Sequence, residues 1–217
     1  MSKLTTSKEA MERVRDGHSI MVGGFLACGH PETLVNSLVE TKVKNLTIIS
    51  NDTGTIECAI YNVIKTGQAS TIIASYIGAN PETGKLLMSK LADVQLFPQG
   101  TLAEKIRAGG AGLGGFLTPV GVGTIVEEGK RKIEVEGKQY LLEFPLKADI
   151  ALIKAHKADV NGNLVFMGST RNFNAIMATA ANYVIAEVEE YVRAGEIDPN
   201  DVIVPGILVD AIVMVGE

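Results

Sequence analysis

Short runs of aliphatic and β-branched residues return at regular intervals along the first half of this chain, and a stretch with helical spacing follows each one. His18-Ser19-Ile20-Met21-Val22, Leu46-Thr47-Ile48-Ile49-Ser50, Ser70-Thr71-Ile72-Ile73-Ala74-Ser75 and Val94-Gln95-Leu96-Phe97 read as strands. Glu32 to Thr41, Ile56 to Lys65, Pro81 to Lys90 and Leu102 to Ala108 read as the helices that follow them. A first helix over Lys8 to Asp16 is expected ahead of these, with Ser7 as its cap and Gly17 as its stop. Buried strands joined by helices require crossover connections, and crossovers make neighbouring strands parallel. The expected fold class is therefore α/β: an open, mostly parallel sheet with helices on both faces.

The alternation breaks once. Gly109 to Gly129 holds eight glycines, and Lys132 to Glu143 then reads as a β-hairpin turning near Gly137. A glycine-rich loop plus hairpin is thus expected as an insertion on the sheet. The α/β pattern resumes with a strand over Asp149 to Ala155, a turn at Asn161-Gly162-Asn163, a helix over Ala175 to Ala181 and a strand over Tyr183 to Val188. The apolar last ten residues or so are expected either to supply a final strand of the same sheet or to pack on a partner. No linker-like stretch interrupts the 217 residues, so one domain spanning residues 1–217 is expected.

Composition removes whole classes of function. The chain is 46% hydrophobic and 21% charged, enough apolar material for a packed core. Its net charge of −5 is spread through interspersed acids and bases, which excludes the basic stripe of a nucleic-acid binder. The longest apolar run, near Pro205 to Val215, is broken by Asp210 and too short to cross a bilayer, so no membrane association is expected. The polar start Thr5-Thr6-Ser7-Lys8-Glu9 lacks the apolar segment of a secretory signal, and a cytoplasmic location is expected. Cys28 and Cys58 have neither a paired spacing nor an oxidising context. His18, His30 and His156 lie far apart in sequence, so no metal site is expected.

Four segments come into question for the candidate chemistry. Gly110-Ala111-Gly112-Leu113-Gly114-Gly115 has the letters of a dinucleotide fingerprint, but a helical pattern precedes it where a strand is required. A flexible loop over a ligand and a close backbone crossing both remain as readings. Gly23 to Pro31, by contrast, follows a strand and opens a helix. Its paired glycines would let a ligand approach the backbone, and the free N–H groups at the helix start would favour an anion, while tight strand-to-helix packing explains the same residues. Asn51-Asp52-Thr53 and Pro98-Gln99-Gly100-Thr101 also end strands, on the sheet edge where ligands of such folds bind. The Gln99 amide can donate two hydrogen bonds but cannot serve as acid, base or nucleophile. It suits oxyanion stabilisation, or else it caps the helix starting near Thr101.

Asp16-Gly17-His18-Ser19-Ile20-Met21-Val22-Gly23-Gly24-Phe25 followed by Gly29-His30-Pro31 resembles the signature of class I coenzyme A (CoA) transferase α subunits. The resemblance continues through Ser50-Asn51-Asp52-Thr53, Ala79 to Gly84, Pro98 to Gly112 and Ser169 to Asn174, and so covers nearly the whole chain. The first two of these segments resemble the bacterial acetate or butyrate:acetoacetate branch. The resemblance implies transfer of CoA between short-chain acids through a glutamyl-CoA thioester, with the nucleophilic glutamate on a homologous β subunit and an α2β2 assembly. It places Gln99 at the oxyanion and assigns Gly24, Phe25, Leu26, Ala27, Cys28, Gly29, His30 and Asn51 to CoA or substrate. Acyl-CoA is then a substrate, and no tightly bound cofactor is implied. Two other readings share the fold: a non-catalytic acyl-CoA sensor, and a sugar-phosphate isomerase using the same helix start for phosphate.

Overall fold

A computed structural model describes residues 2–217. In chain order the elements are α1 (Ser7–Met11), β1 (Ser19–Val22), α2 (Glu32–Thr41), β2 (Leu46–Ser50), α3 (Ala59–Lys65), β3 (Ala69–Ala74), α4 (Pro81–Ser89), β4 (Asp93–Leu96) and α5 (Gln99–Gly110). There follow β5 (Phe116–Thr118), β6 (Lys132–Val135), β7 (Lys138–Glu143), β8 (Ala148–Asp159), β9 (Leu164–Val165), α6 (Asn172–Met177), β10 (Ala181–Val192) and β11 (Ala211–Met214).

The main sheet runs β11-β10-β8-β1-β2-β3-β4 with every neighbour parallel, and β9 adds an antiparallel pair to β8. Period-two alternation along each strand sends Ile20, Val22, Ile48, Ile72, Ile150 and Leu152 to one face, against α2 and α3. The alternate residues Met21, Ile49, Ala151 and Ile153 go to the other face, with Leu102, Ile106, Phe173 and Met177. Both faces are therefore buried, as a parallel sheet requires. β1 lies between β2 and β8, so the chain runs outward from β1 in one direction and later returns to its other side. The loops at the C-terminal ends of β1, β2, β3 and β4 share one edge, beside that reversal.

The insertion forms a separate antiparallel sheet, β5-β7-β6. Its hairpin turns at Glu136 and Gly137, both with positive φ (50° and 75°), the geometry of a two-residue turn whose twist matches its strands. Glu143, at the end of β7, is buried beneath it and accepts from Lys105 Nζ at 3.0 Å and from Lys130 Nζ. Both ammonium groups sit over the Phe97 ring, 4.7 and 5.3 Å from its centroid.

Several helix limits differ from the sequence reading. Thr6, not Ser7, caps α1: its hydroxyl accepts from Glu9 N while the Glu9 carboxylate accepts from Thr6 N, and Ser7 is buried inside the first turn. α1 also stops at Met11, short of Asp16. α3 begins at Ala59, not Ile56, where the Glu32 carboxylate accepts Ala59 N at 2.7 Å and so caps the helix from a distant element. α6 occupies Asn172–Met177, not Ala175 to Ala181, because Asn174 is tied to Thr170 and Gly29 and Ala181 already starts β10. α5 runs through Gly109 and Gly110. A Cβ there would lie 1.9 Å from Leu146 O and 2.0 Å from Thr179 Oγ1, so these two glycines serve the close backbone crossing.

Candidate functional site

The loop after β1 is built as a tight turn. Phe25 N donates to Cys28 O at 2.9 Å and Cys28 N donates back to Phe25 O at 3.0 Å, with Leu26 between them at φ 49°. Asp52, itself buried, clasps this turn to the loop after β2: its carboxylate accepts Leu26 N (2.8 Å), Asn51 Nδ2 (2.8 Å) and Gly54 N (2.9 Å). Ser75, just past β3, donates its hydroxyl to Asn51 O (2.7 Å) and Asn51 Oδ1 (3.0 Å). Asn51 is thus held at both ends of its amide and is only 3% exposed, leaving one N–H without a partner.

Gln99 is the first residue of α5, and its side chain is exposed. Among the described residues its amide makes no hydrogen bond, and Pro98 occupies the cap position without a side-chain bond, so Gln99 does not cap the helix. Together with Phe25, Leu26, Asn51, Ser75 and Tyr76 it lines a cleft of about 220 Å³. Four of the residues singled out in the sequence, Phe25, Leu26, Asn51 and Gln99, therefore meet in one place.

The others do not join them. Ala27, Gly29 and His30 line a second cleft of about 230 Å³ on the far side of the same turn, with Lys154, His156 and Glu189 from β8 and β10. Cys28 packs its sulfur 3.3 Å from Ser169 Oγ, and Asn172 Nδ2 donates to its carbonyl at 3.1 Å. Gly24 lines neither cleft: with φ 117°, a Cβ there would lie 2.6 Å from the His30 ring. Gly23 is likewise filled by Asn174, whose Oδ1 would be 1.8 Å from an added Cβ. The paired glycines are thus required by packing. The His30 ring is buried with neither nitrogen bonded among the described residues, and burial pushes its pKa down despite the nearby carboxylates of Asp52 and Glu32, keeping it neutral.

The start of α2 is not free for an anion, contrary to the sequence reading. Leu34 N donates to the buried carboxylate of Glu187 at 3.1 Å, and Lys154 Nζ pairs with the same group at 3.1 Å. An internal carboxylate already occupies the position where the isomerase reading needs phosphate. The glycine-rich segment offers no dinucleotide site either, since α5 precedes it and β5 follows. No group of three or more potential metal ligands occurs among the described residues, and no described helix is long and apolar enough to cross a membrane.

Ser75, Tyr76, Lys154 and Glu187 escaped the sequence reading, which placed Asp52 in a ligand-edge loop but did not foresee its clasp on Leu26, Asn51 and Gly54. The strand-end position of Ser75-Tyr76 was the available signal for that pair. The Lys154 to Glu187 pairing depends on the alignment of β8 with β10, which no local pattern encodes.

Comparison with known proteins supplies the family. The family model described as coenzyme A transferase matches residues 4–214. The chain is 50% identical over 216 residues to the acetate CoA-transferase subunit alpha of Escherichia coli K12, covering 100% of this chain and 98% of the relative. It is 49% identical over 212 residues to the acetoacetyl-CoA:acetate/butyrate CoA transferase alpha subunit of Clostridium acetobutylicum, covering 98% and 97%. An acyl-CoA transferase from E. coli O157:H7, solved as a thioester complex with CoA, superposes with a TM-score of 0.90 at 23% identity; the match covers 98% of this chain but 47% of that one. Glutaconate CoA-transferase from Acidaminococcus fermentans gives 0.88 at 22% identity, covering 98% and 75%. The open parallel sheet with its small antiparallel insertion recurs in these transferases, and identity near one half over the full length places the chain in the coenzyme A transferase family.

Proposed function

We propose that this chain is the α-type half of a two-subunit CoA-transferase that moves CoA between short-chain acyl-CoA and free carboxylates such as acetate, butyrate and acetoacetate. The observation that carries the reading is the unbonded Gln99 amide in a cleft otherwise walled by Phe25, Leu26, Asn51, Ser75 and Tyr76. Such a cleft presents hydrogen-bond donors to a polar reacting group and apolar surface to a short chain, but it contains no carboxylate to act as nucleophile. The names of the full-length relatives, each an alpha or A subunit, favour a homologous partner that supplies the glutamate, in an α2β2 assembly. Acyl-CoA enters as substrate, with no tightly bound cofactor, and the reaction belongs in the cytoplasm.

The chemistry then divides between the halves. A carboxylate oxygen of the partner's glutamate attacks the thioester carbonyl, and the electron pair moves onto the carbonyl oxygen. The Gln99 N–H stabilises that oxyanion, held in place by the first turn of α5. Collapse expels CoA thiolate and leaves a mixed anhydride. The thiolate attacks the glutamyl carbonyl, releasing the first acid and leaving an enzyme thioester; the second acid reverses both steps. Asn51, fixed between Asp52 and Ser75, offers its remaining N–H along the same edge. Gly24 to His30 shape the turn between the two clefts, where the CoA portion of the substrate would lie.

The test is Gln99→Ala in the reconstituted pair. Loss of one oxyanion donor lowers kcat by about 10²–10³-fold, with assembly retained. A fall of less than about threefold would contradict the role, since donors aimed at a developing charge are not that weak.

A further inference from the structure

Tyr76 is the one large side chain of the Gln99 cleft that neither the sequence motifs nor the oxyanion chemistry uses. Its backbone is fixed, because an isolated bridge pairs Tyr76 with Asp52 and so extends the β2–β3 ladder by one step. Its ring has a seat as well. A Cβ at Gly78 would lie 2.9 Å from the Tyr76 hydroxyl oxygen and 3.0 Å from Cε2 and Cζ, so the ring rests against Gly78 in a place that a larger residue there would take from it. Tyr76 remains 50% exposed and lines the cleft together with Phe25 and Leu26.

The cleft is small. Its 220 Å³ lies below the range of about 300–1,000 Å³ common for drug-sized ligands. None of its six lining residues is an aspartate, glutamate, lysine, arginine or histidine. An apolar chain can therefore enter without stripping water from a charge, and selection among acids rests on length and shape. We propose that Tyr76, propped by Gly78, sets the length of acyl chain this site accepts. The inference rests on the reading of the Gln99 cleft as the acyl site.

The experiment uses the two-subunit enzyme with acetoacetyl-CoA as donor and acetate, butyrate or hexanoate as acceptor. Tyr76→Ala, Gly78→Ala and Gln99→Ala are measured side by side. Tyr76→Ala opens the wall and raises the hexanoate-to-acetate ratio of kcat/KM at least tenfold, the discrimination expected of one or two methylenes in an apolar pocket. Gly78→Ala, which truncates no cleft side chain but displaces the Tyr76 ring from its seat, changes the ratio as well. It carries the test alone should Tyr76→Ala fail to assemble. If the ratio stays at the parent value in each variant that assembles while Gln99→Ala still slows turnover, Tyr76 is not the determinant, although the site stands. If Gln99→Ala is also without effect, the cleft is not the acyl site and both readings fall.

Discussion

Gly23 and Gly24 show what a motif does and does not reveal. Adjacent glycines after a strand fit a ligand loop and a tight packing corner equally well, because both need a missing Cβ. Only the packed partners decide: Asn174 fills the space at Gly23 and the His30 ring fills it at Gly24, residues that local sequence cannot place there. Gly24→Val forces a branched side chain into a position with φ 117° and into the imidazole. Strain and overpacking each cost about 1–3 kcal/mol, so denaturant melts should show a loss of at least about 2 kcal/mol. A variant as stable as the parent would mean that the His30 ring does not rest where the structure puts it. Gln99 was legible for a different reason. A four-residue strand ending at Phe97 and a helical pattern from Leu102 leave Pro98 to Thr101 at the end of a strand, and that position is what the structure bears out, with Gln99 opening α5 beside the cleft. Tyr76 carried no such mark, since Ser75-Tyr76 reads as the tail of a strand.

At the scale of elements, existence was legible and termini were not. Every βα unit of the first half occurs, because period-two apolar runs and helical spacing are local signals. The start of α3 shifted because a side chain from elsewhere takes over the helix end, as Glu32 does at Ala59, whereas α2 kept its expected bounds with Leu34 N donating to Glu187. Glu143 joins elements in the same way, linking β7 to α5 through Lys105 and to the insertion through Lys130. Burial pushes the Glu143 carboxyl up, but the hydrogen bonds from Lys130 and Lys105 and their charges outweigh it, so its pKa lies below the ordinary carboxylate value. A lowered folded-state pKa contributes stability in full above the unfolded value, about 4.3, and that contribution disappears as pH falls through the folded value. Glu143→Gln strands the buried Lys105 ammonium, at a cost of about 3–5 kcal/mol at pH 7. The gap in melting temperature between parent and variant should hold from pH 7 to about 5 and narrow below about 4. Equal melting at pH 7 would show that the triad does not hold the insertion.

Across the whole molecule, the class of fold was legible and the order of strands was not. Crossover helices dictate a parallel sheet, but nothing local says that β8 returns beside β1 and so puts β1 at the reversal. That reversal gathers the strand-end loops on one edge, where the proposed transfer needs them to form half of a reaction site. Five chemical parts of the proposed transfer can be named on this chain: the Gln99 amide, the Asn51 amide, the Asp52 clasp, the Ser75 hydroxyl and the apolar walls. The nucleophile is not among them. Glu104, on α5, is engaged by Arg107, which lowers its pKa and occupies both of its oxygens, and Glu57 is exposed outside the cleft. The most direct measurement incubates this chain, its homologous partner subunit and the mixture with acetoacetyl-CoA and acetate, then locates any trapped glutamyl adduct by mass spectrometry. The account predicts turnover only in the mixture, with the adduct on a glutamate of the partner; turnover by this chain alone, with an adduct on one of its own glutamates, would contradict it.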